Sequence, residues 1–397
     1  MSAPSVLTLS WEYPPVVEGG LARHVAGLSA GLVRRGADVR VLTRGADAVP
    51  AHTEDDGVVV QRVQRSSPPA GLDAFLAWVD ELGDDLLAAG TAAAEVQRPD
   101  VVHGHDWLVA APAAALADAL GVPYVTTVHA TEHGRHQGWV QKHPQSHVHG
   151  VEAAMMARAD AVLVCSAFMR RHVLDVFATD PDDVVVVRNG IDPVAPVDDA
   201  RVAALRAALA PGGEALVLLA GRLVYEKGFQ VALEAFDRVA RSTAPAAPPA
   251  RLVVAGSGPH EAELHAQAEA IGLGERIRFL GWTDDATLPA LYRAADVCLV
   301  PSLYEPFGLV ALEAMRGGCA VVAAATGGLR EVVPEGTGVR VPPDDVRALA
   351  AALRRLLDDP ALRRRLVTAG AAHAARFSWD DAAARCLDVY AGLGVRV

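Results

Sequence analysis

Two basic side chains, Arg222 and Lys227, lie five positions apart in segment 221–228, which begins and ends with glycine. Lys227 is one of two lysines among 36 basic residues, so it stands out against an arginine-rich background. A guanidinium binds phosphate through two parallel N–H groups, whereas an ammonium adds a mobile point charge. The pair therefore predicts a binding site for a diphosphate. The alternative is a solvated arginine and lysine with Glu226 as a local partner.

Two carboxylates, Glu305 and Glu313, follow further along the chain. A proline at position 306 disfavours helical geometry at Glu305 and places it on a loop, whereas Glu313 lies inside an apolar helix predicted over 309–315. The start of that helix, near Phe307 and Gly308, can face a phosphate. The carboxylates would then accept hydrogen bonds from the hydroxyls of a sugar and a ribose. Two ordinary surface glutamates are the alternative, which the apolar surroundings of Glu313 disfavour.

Polar residues also end two predicted strands in the first half of the chain. One strand ends in the segment His103-Gly104-His105-Asp106-Trp107, and the next strand along the chain ends at His129. Ligands of open α/β sheets bind at the carboxyl ends of the strands. Asp106 precedes a helical stretch, so a helix cap and an active-site role are both open. His129 is expected at the ligand edge, with a buried core histidine as the alternative.

Histidines are concentrated in this part of the chain, since eight of the fourteen lie between His103 and His149. No cysteine joins them, the His-Glu-x-x-His pattern is absent, and predicted loops rather than one helix face carry them. We therefore expect no bound metal and no other cofactor.

Two glycine-rich turns add candidate contacts to an anion. Gly19 and Gly20 follow the first predicted strand and come directly before a helix, where backbone N–H groups and the helix dipole favour an anion. A flexible turn is the alternative there. Gly256 opens a Gly-Ser-Gly turn after another strand, but Glu261 occupies the third glycine position of the dinucleotide fingerprint. We interpret this segment as a tight turn near a nucleotide rather than as an NAD site.

The elements that must position these residues alternate in the order typical of α/β proteins. Short β-branched runs alternate with longer stretches of helical period, which predicts repeated βαβ units around parallel sheets. A chain of 397 residues exceeds what one core usually organises, and a pause in the pattern at 188–213 predicts two Rossmann-like domains. The predicted strands cover residues 6–10, 39–43, 58–63, 101–103, 124–129, 161–166, 184–187, 215–220, 252–256, 277–280, 297–301, 320–323 and 338–341.

The composition of the chain argues against nucleic-acid-binding and membrane-spanning proteins. The formal net charge of -12 argues against a nucleic-acid partner and gives no general attraction to anionic lipid. The four cysteines are far apart and form no CxxC motif, as is usual for buried thiols in a reducing compartment. The sequence contains no signal-peptide pattern and no eighteen-residue apolar span, so we expect a cytoplasmic protein without an integral membrane segment.

Together these motifs resemble the family 4 retaining glycosyltransferases of the GT-B fold, over nearly the whole chain. The Gly19-Gly20 loop, the His-x-His-Asp-Trp segment, His129, Arg222 with Lys227, and two glutamates spaced as E-x7-E carry the resemblance. Segments 10–15 and 129–139 are most similar to bacterial glycogen-synthase-like α-glucan glucosyltransferases.

The GT-B fold implies two Rossmann-like domains whose parallel sheets face each other across a cleft. Residues 1–192 would form the acceptor-side domain, and residues 193–375 would form the domain that binds the nucleotide sugar. Residues 376–397 would form a carboxyl-terminal helix that crosses back onto the first domain.

The resemblance also implies a role for each motif residue. Arg222 and Lys227 would hold the diphosphate, Glu313 the ribose, and Glu305 the hydroxyls of the donor sugar, while His129 would contact that sugar. The implied catalytic residues are His129, Arg222, Lys227 and Glu305; donor binding would add Gly19, Gly20, Gly256, Phe307, Gly308, Leu309 and Glu313, and the acceptor would meet Asp106, Glu132 and Arg135.

The implied activity is that of a hexosyltransferase of the EC 2.4.1 type. It would move glucose from ADP- or UDP-glucose to an α-glucan or oligosaccharide, with retention of configuration and without a metal. A mannosyl- or other hexosyltransferase acting on a lipid or small-molecule acceptor is the alternative enzyme, and a two-lobed solute-binding protein is the non-enzyme alternative. One departure concerns the Gly-Gly loop, in which true bacterial glycogen synthases of the related family carry a lysine, whereas this chain has Glu18.

Overall fold

The computed structural model describes residues 3–64, 67–69, 71–192, 197–241, 249–284 and 286–397. The chain folds as two compact units, of which unit 1 comprises residues 1–190 and 378–397, and unit 2 comprises residues 191–377. The domain boundaries predicted from the sequence, after residues 192 and 375, lie within two residues of these. The predicted start of the second domain at 193 falls outside the described residues.

Unit 1 is built on an eight-stranded sheet in the order β3-β4-β2-β1-β5-β6-β7-β8. Its strands are parallel except for β3, which pairs antiparallel with β4. The bounds are β1 Ser5–Leu9, β2 Asp38–Arg44, β3 His52–Asp55, β4 Val58–Val63, β5 Val101–His105, β6 Tyr124–Val128, β7 Ala161–Val164 and β8 Val184–Val186. The sequence predicted seven of these strands and missed β3.

Unit 1 contains seven α-helices among the described residues, and the last of them comes from the carboxyl-terminal end of the chain. Their bounds are α1 Gly20–Arg34, α2 Leu72–Val96, α3 Ala110–Leu120, α4 Glu132–Arg135, α5 Gln145–Arg158, α6 Ala167–Val176 and, after unit 2, α15 Trp379–Gly392. Helix α15 packs on α1 because glycines leave room for its tryptophan. A Cβ added at Gly27 would lie 2.2 Å from the Trp379 ring, and one at Gly31 would lie 2.7 Å from the Trp379 carbonyl oxygen.

Unit 2 is built on a six-stranded parallel sheet in the order β11-β10-β9-β12-β13-β14. Its strands are β9 Ala215–Ala220, β10 Ala250–Ala255, β11 Ile277–Gly281, β12 Val297–Val300, β13 Ala320–Ala324 and β14 Val339–Val341. Its helices are α7 Asp199–Leu209, α8 Phe229–Ala240, α9 Glu261–Ile271, α10 Thr287–Ala294, α11 Leu309–Arg316, α12 Leu329–Val332, α13 Val346–Asp358 and α14 Pro360–Ala374. Every residue of β9 is buried, as expected for a parallel strand covered by helices on both faces.

Each sheet thus has the parallel α/β organisation that the sequence predicted. In unit 2, β9 lies between β10 and β12, so the loops that leave these three strands emerge at one edge of the sheet. Among the residues that the structure describes, no helix combines the length and the apolar character needed to cross a bilayer.

Candidate functional site

The lysine and one glutamate singled out in the sequence meet in unit 2. Lys227 ends a 3-10 turn that follows β9, and Glu305 lies on the loop that follows β12. The Nζ atom of Lys227 donates to Oε2 of Glu305 at 2.8 Å, and Oγ of Ser302 donates to the same oxygen at 3.1 Å. The Glu305 side chain is 9% exposed and that of Lys227 is 27% exposed, so the ammonium is oriented and still reaches solvent. A fixed cation of this kind suits a phosphate ligand.

Two glycines, Gly327 and Gly328, pack closely against the backbone of Glu305 and fix it in place. This contact was not predicted from the sequence. Gly328 donates its N–H to the Glu305 carbonyl at 2.8 Å. Gly327 has φ +49°, and a Cβ at this position would lie 2.0 Å from the same carbonyl oxygen. Only glycine fits there. The Gly-Gly pair at 327–328, between β13 and α12, was the available sequence signal.

Glu313 lies within α11, where its carboxylate has a partner from another helix. The Tyr292 hydroxyl on α10 donates to Glu313 Oε2 at 3.1 Å, and Tyr292 itself is buried. Helix α11 begins after Gly308, which caps it with φ +113°, while Phe307 is buried and Leu309 is half-buried. The structure therefore confirms the predicted placement of Glu305 before a helix and Glu313 inside it. Tyr292 was not predicted, because a tyrosine in an apolar helix is more often a core residue.

The Gly256 turn and the Arg222 segment are in direct contact. Gly256 has φ +145°, and a Cβ there would lie 1.9 Å from the Gly221 carbonyl oxygen. The N–H of Leu223 donates to the Ser257 carbonyl at 2.8 Å. The Arg222 side chain between these contacts is exposed. The structure thus brings Arg222, Lys227, Gly256 and Glu305 to the loops at the carboxyl ends of three adjacent strands.

In unit 1, Asp106 anchors the backbone of His129. Asp106 has φ +61°, a strained value for a residue other than glycine, and its Oδ1 accepts the His129 N–H at 2.8 Å. It precedes the 3-10 turn Trp107–Val109, but its side chain makes no capping hydrogen bond there. Burial raises the Asp106 pKa to about 6, and Arg135 opposes that rise. Of the two roles left open by the sequence, a side-chain helix cap is therefore wrong.

The half-buried His129 imidazole belongs to a cluster of histidines. Its Nε2 lies 3.1 Å from Nδ1 of His105, and its ring centroid lies 4.4 Å from that of His24 on α1. Burial lowers the His129 pKa to about 3, so its ring is neutral near pH 7. Ring nitrogens of these three histidines lie within 4.8 Å of one another, a spacing that could hold a metal ion. The sequence-based expectation of no metal stays a prediction.

Glu132 and Arg135 both lie on the short helix α4. Thr131 caps this helix by accepting the Gly134 N–H at 3.0 Å, and the Glu132 N–H donates to Oε1 of the buried Glu152 at 2.8 Å. Burial raises the pKa of Glu152 to about 8, although the bond from the Glu132 N–H lowers it. Glu152 was missed by the sequence analysis, and a carboxylate among alanines and methionines in α5 was the available signal.

The Gly19-Gly20 turn starts α1, as predicted. Gly19 is extended, with φ -168°, and a Cβ there would meet no atom within 4 Å. The acidic neighbour Glu18 forms an ion pair with Arg44, and its own N–H donates to Glu12 Oε2 at 2.5 Å. The negative charge of Glu18 is therefore compensated by Arg44 at the end of β2, which reduces its conflict with an anionic ligand.

Comparisons with known proteins place this geometry in a family. Residues 18–194 match the model of Glycosyltransferase Family 4, and residues 203–373 match that of Glycosyl transferases group 1. A glycogen synthase of Mycobacterium tuberculosis is 40% identical over 97% of this chain and 94% of its own. A D-inositol 3-phosphate glycosyltransferase of Xylanimonas cellulosilytica is 36% identical over 94% of this chain and 91% of its own.

A solved structure supports the same assignment. Sucrose-phosphate synthase of Thermosynechococcus elongatus superposes with a TM-score of 0.85 at 27% identity, covering 98% of this chain and 99% of its own. The chain therefore belongs to the GT-B glycosyltransferases with family 4 and group 1 domains, and it is a glycosyltransferase of the EC 2.4.1 type.

Proposed function

We propose that the protein is a retaining glucosyltransferase that moves glucose from ADP- or UDP-glucose to an α-glucan or oligosaccharide. The contact between Lys227 and Glu305, at 2.8 Å, is the observation that carries this proposal. It joins a cation suited to a diphosphate with a carboxylate suited to sugar hydroxyls in one place. The 40% identity with a glycogen synthase supports glucose as the sugar and a glucan as the acceptor.

The leaving diphosphate would be stabilised mainly by charge. Arg222 and Lys227 would bind its oxygens as negative charge builds up on them, and the pairing with Glu305 keeps the ammonium oriented before substrate binds. Because the ammonium need not reorganise during the reaction, its full charge is available in the transition state. These two cations would do the work that a metal ion does in other transferases, so we propose a metal-independent reaction.

The remaining donor contacts would come from the same unit. Glu313, oriented by Tyr292, would accept hydrogen bonds from the ribose, and the tight turn at Gly256 would lie near the nucleotide. Glu305 and the backbone amides at 307–309 would bind the hydroxyls of the sugar.

The acceptor would bind to unit 1. His129, whose backbone N–H is held by Asp106, would contact the donor sugar, and Glu132 and Arg135 on α4 would meet the acceptor. Attack on the face that the diphosphate leaves would retain the anomeric configuration. We place the enzyme in the cytoplasm, because its four cysteines are free and buried, as in proteins of a reducing compartment.

Transfer assays test the proposal. Wild-type protein is incubated with ADP-, UDP- or GDP-glucose or GDP-mannose, with glycogen or maltooligosaccharides as acceptor, in the presence and absence of EDTA. We expect chain extension from a glucose donor, unaffected by EDTA and lost in Lys227→Ala. Arg251→Ala is the matched control, because Arg251 forms a similarly exposed ion pair with Glu214 at 2.9 Å in the same unit.

A second acceptor class has its own support. The relative from Xylanimonas cellulosilytica carries D-inositol 3-phosphate in its name, so a phosphorylated small molecule is the alternative acceptor. D-inositol 3-phosphate is therefore added to the acceptor panel. Glucose or another hexose transferred to this compound, with no extension of glycogen or maltooligosaccharides, would contradict the glucan assignment while leaving the family assignment intact.

A further inference from the structure

Three aromatic side chains meet at the edge of the unit 1 sheet where its parallel strands end. Trp11 follows β1, and Trp107 begins the 3-10 turn that follows β5. Because β1 and β5 are neighbouring parallel strands, both indoles leave the sheet at the edge where such sheets bind ligands. Phe75, near the start of α2, packs against both indoles. This aromatic cluster therefore lies in the unit to which the proposed function assigns the acceptor.

The rings of the aromatic cluster hold one another in place. The Phe75 ring centroid lies 6.4 Å from that of Trp11 at an interplanar angle of 84°, and 6.4 Å from that of Trp107 at 77°. Both are edge-to-face arrangements, which aromatic pairs favour. The buried Trp78, one turn further along α2, stacks on Phe75 at 15°. The two indoles are thus fixed in advance, so they lose little conformational freedom when a ligand binds.

Trp11 is held from a second side by Arg44, which ends β2. The guanidinium carbon lies 4.6 Å from the centroid of the indole, within the range of a cation–π contact. The Nε atom of Arg44 also donates to the Trp11 carbonyl at 3.1 Å. Both the ring and the backbone of Trp11 are therefore fixed.

The cluster keeps surface and donors available to a ligand. Trp11, Phe75 and Trp107 are each half-buried, so part of every ring is accessible. An indole N–H can only donate. Among the described residues, none accepts a hydrogen bond from the indole N–H of Trp11 or of Trp107, and neither N–H is sealed from solvent. Two oriented donors thus accompany the apolar ring surfaces.

We propose that Trp11 and Trp107 form an acceptor subsite that stacks one pyranose ring of a glucan. The subsite rests on the proposed function, in which the acceptor binds to unit 1. The axial C–H groups of a glucose ring make an apolar face that packs on an indole, and its hydroxyl oxygens can accept the indole N–H. Aromatic walls with a few polar groups are the usual lining of a site for a small molecule.

The charges beside the cluster favour an uncharged sugar over a phosphorylated acceptor. Arg44, the cation on Trp11, is already paired with Glu18. Asp106 directly precedes Trp107, and its carboxyl group adds no attraction for a phosphate. A phosphate binds best where cations are available for charge-assisted hydrogen bonds. The aromatic cluster therefore suits a neutral glucan.

Calorimetric titration of maltoheptaose into the full-length protein, without donor, tests the subsite directly. We expect Trp11→Leu and Trp107→Leu each to bind maltoheptaose about tenfold more weakly than the wild type, because each loses one aromatic contact. Trp107→Phe keeps an aromatic ring and loses only the N–H, so its affinity should fall by about threefold. Trp282→Leu is the control, because Trp282 is 65% exposed and lies in unit 2.

A second measurement uses the wild type alone, so it does not depend on the folding of a variant. Hydroxyl-radical footprinting, read by mass spectrometry, compares the oxidation of each tryptophan with and without saturating maltoheptaose. We expect the sugar to reduce the oxidation of Trp11 and Trp107 at least about threefold and to leave that of Trp282 unchanged. Equal oxidation of Trp11 and Trp107 with and without the sugar would overturn the proposal.

Steady-state kinetics separate the subsite from the proposed function as a whole. Trp107→Leu should raise the KM for maltoheptaose about tenfold, while the KM for the donor stays within about twofold. Wild-type affinity for maltoheptaose in both leucine variants, with transfer to glucans intact, would overturn the subsite and leave the glucan acceptor standing. A wild type that neither binds nor extends maltoheptaose would overturn both.

Discussion

The ammonium of Lys227 is held by a carboxylate of the same unit. Glu305 accepts from both Lys227 and Ser302, and it is buried enough for the pair to be stronger than a surface ion pair. Both residues were identified from the sequence, but their contact was not, because it depends on β9 and β12 being neighbours in the sheet. Local sequence carries no information on that adjacency.

The direct contact predicts strong coupling between Lys227 and Glu305. We expect Lys227→Ala to lower kcat/KM by about 10²- to 10³-fold, as for loss of one contact to a developing negative charge. Because each residue positions the other, Lys227→Ala with Glu305→Ala should cost less than the product of the two single losses. Steady-state kinetics of the wild type, the two single variants and the double variant measure this coupling. The corresponding cycle at Arg251 and Glu214 should leave transfer unchanged, and additive losses at Lys227 and Glu305 would contradict the prediction.

Glu152 makes the stability of unit 1 depend on pH. Its pKa is raised to about 8 by burial, from an ordinary value of 4.5, so the folded protein binds a proton at this site that the unfolded chain has lost. Stability therefore falls as pH rises from about 4.5 to about 8. Glu152→Gln keeps an oxygen for the Glu132 N–H and removes the titration.

At pH 8 we expect Glu152→Gln to unfold at a higher temperature than the wild type. Its free energy of unfolding should be larger by about 1 to 4 kcal/mol. At pH 5 the difference should be much smaller. Thermal unfolding followed by circular dichroism at both pH values measures it, and the exposed Glu95→Gln on α2 is the control. An equal difference at pH 5 and pH 8 would mean that Glu152 does not change its protonation state in this range and would contradict the prediction.

At the scale of the elements, the hydrophobic pattern of the sequence predicted the buried strand β9 but did not predict the exposed strand β3. β9 is buried throughout and was predicted with its observed bounds, whereas three of the four residues of β3 are exposed. A different signal was present, since Asp56-Gly57 joins β3 to β4 with φ +51° and +78°, as in a tight hairpin turn. The turn residues, rather than the strand residues, encode this hairpin.

The loops at the carboxyl ends of β9 and β10 interlock through a glycine. A Cβ at Gly256 would lie 1.9 Å from the Gly221 carbonyl oxygen, and φ is +145° there, so Gly256→Ala must displace the Arg222 segment. We expect a lower unfolding temperature and a transfer rate reduced by at least about tenfold. Gly150→Ala, in α5 with open space around it, is the matched control and should be neutral or stabilising by up to about 1 kcal/mol. Retention of wild-type activity in Gly256→Ala would show that the Arg222 segment tolerates displacement.

The whole chain is organised as one unit inserted into another. Unit 1 is completed by residues 378–397 after the chain has formed unit 2 at 191–377. The two crossings lie side by side, since the Ile191 N–H donates to the Phe377 carbonyl at 3.3 Å and a Cβ at Gly190 would lie 2.3 Å from the Trp379 nitrogen. The predicted boundaries after residues 192 and 375 lie within two residues of these crossings. Turn formers and a break in the βαβ pattern mark the first crossing, whereas the second was implied only by the resemblance to the family.

This arrangement predicts which fragments fold. Residues 191–377 should unfold cooperatively by themselves, whereas residues 1–190 alone leave the α1 surface that Trp379 covers exposed to water. Residues 1–190 joined to 378–397 by a short Gly-Ser linker should fold, because the two ends already meet. Circular dichroism melts of the three fragments test this. A cooperative transition in residues 1–190 alone would show that α15 is dispensable.

The return of α15 also sets an order of events during synthesis on the ribosome. Residues 1–190 emerge first, but their core still lacks Trp379 and Tyr390, which are buried in the finished unit. Unit 2 is complete in sequence before these residues emerge, so the later part of the chain can fold ahead of the earlier part. The first unit to be translated is thus the last to be finished, and ribosomes that stop before residue 378 release a nascent chain with its second unit folded and its first one open.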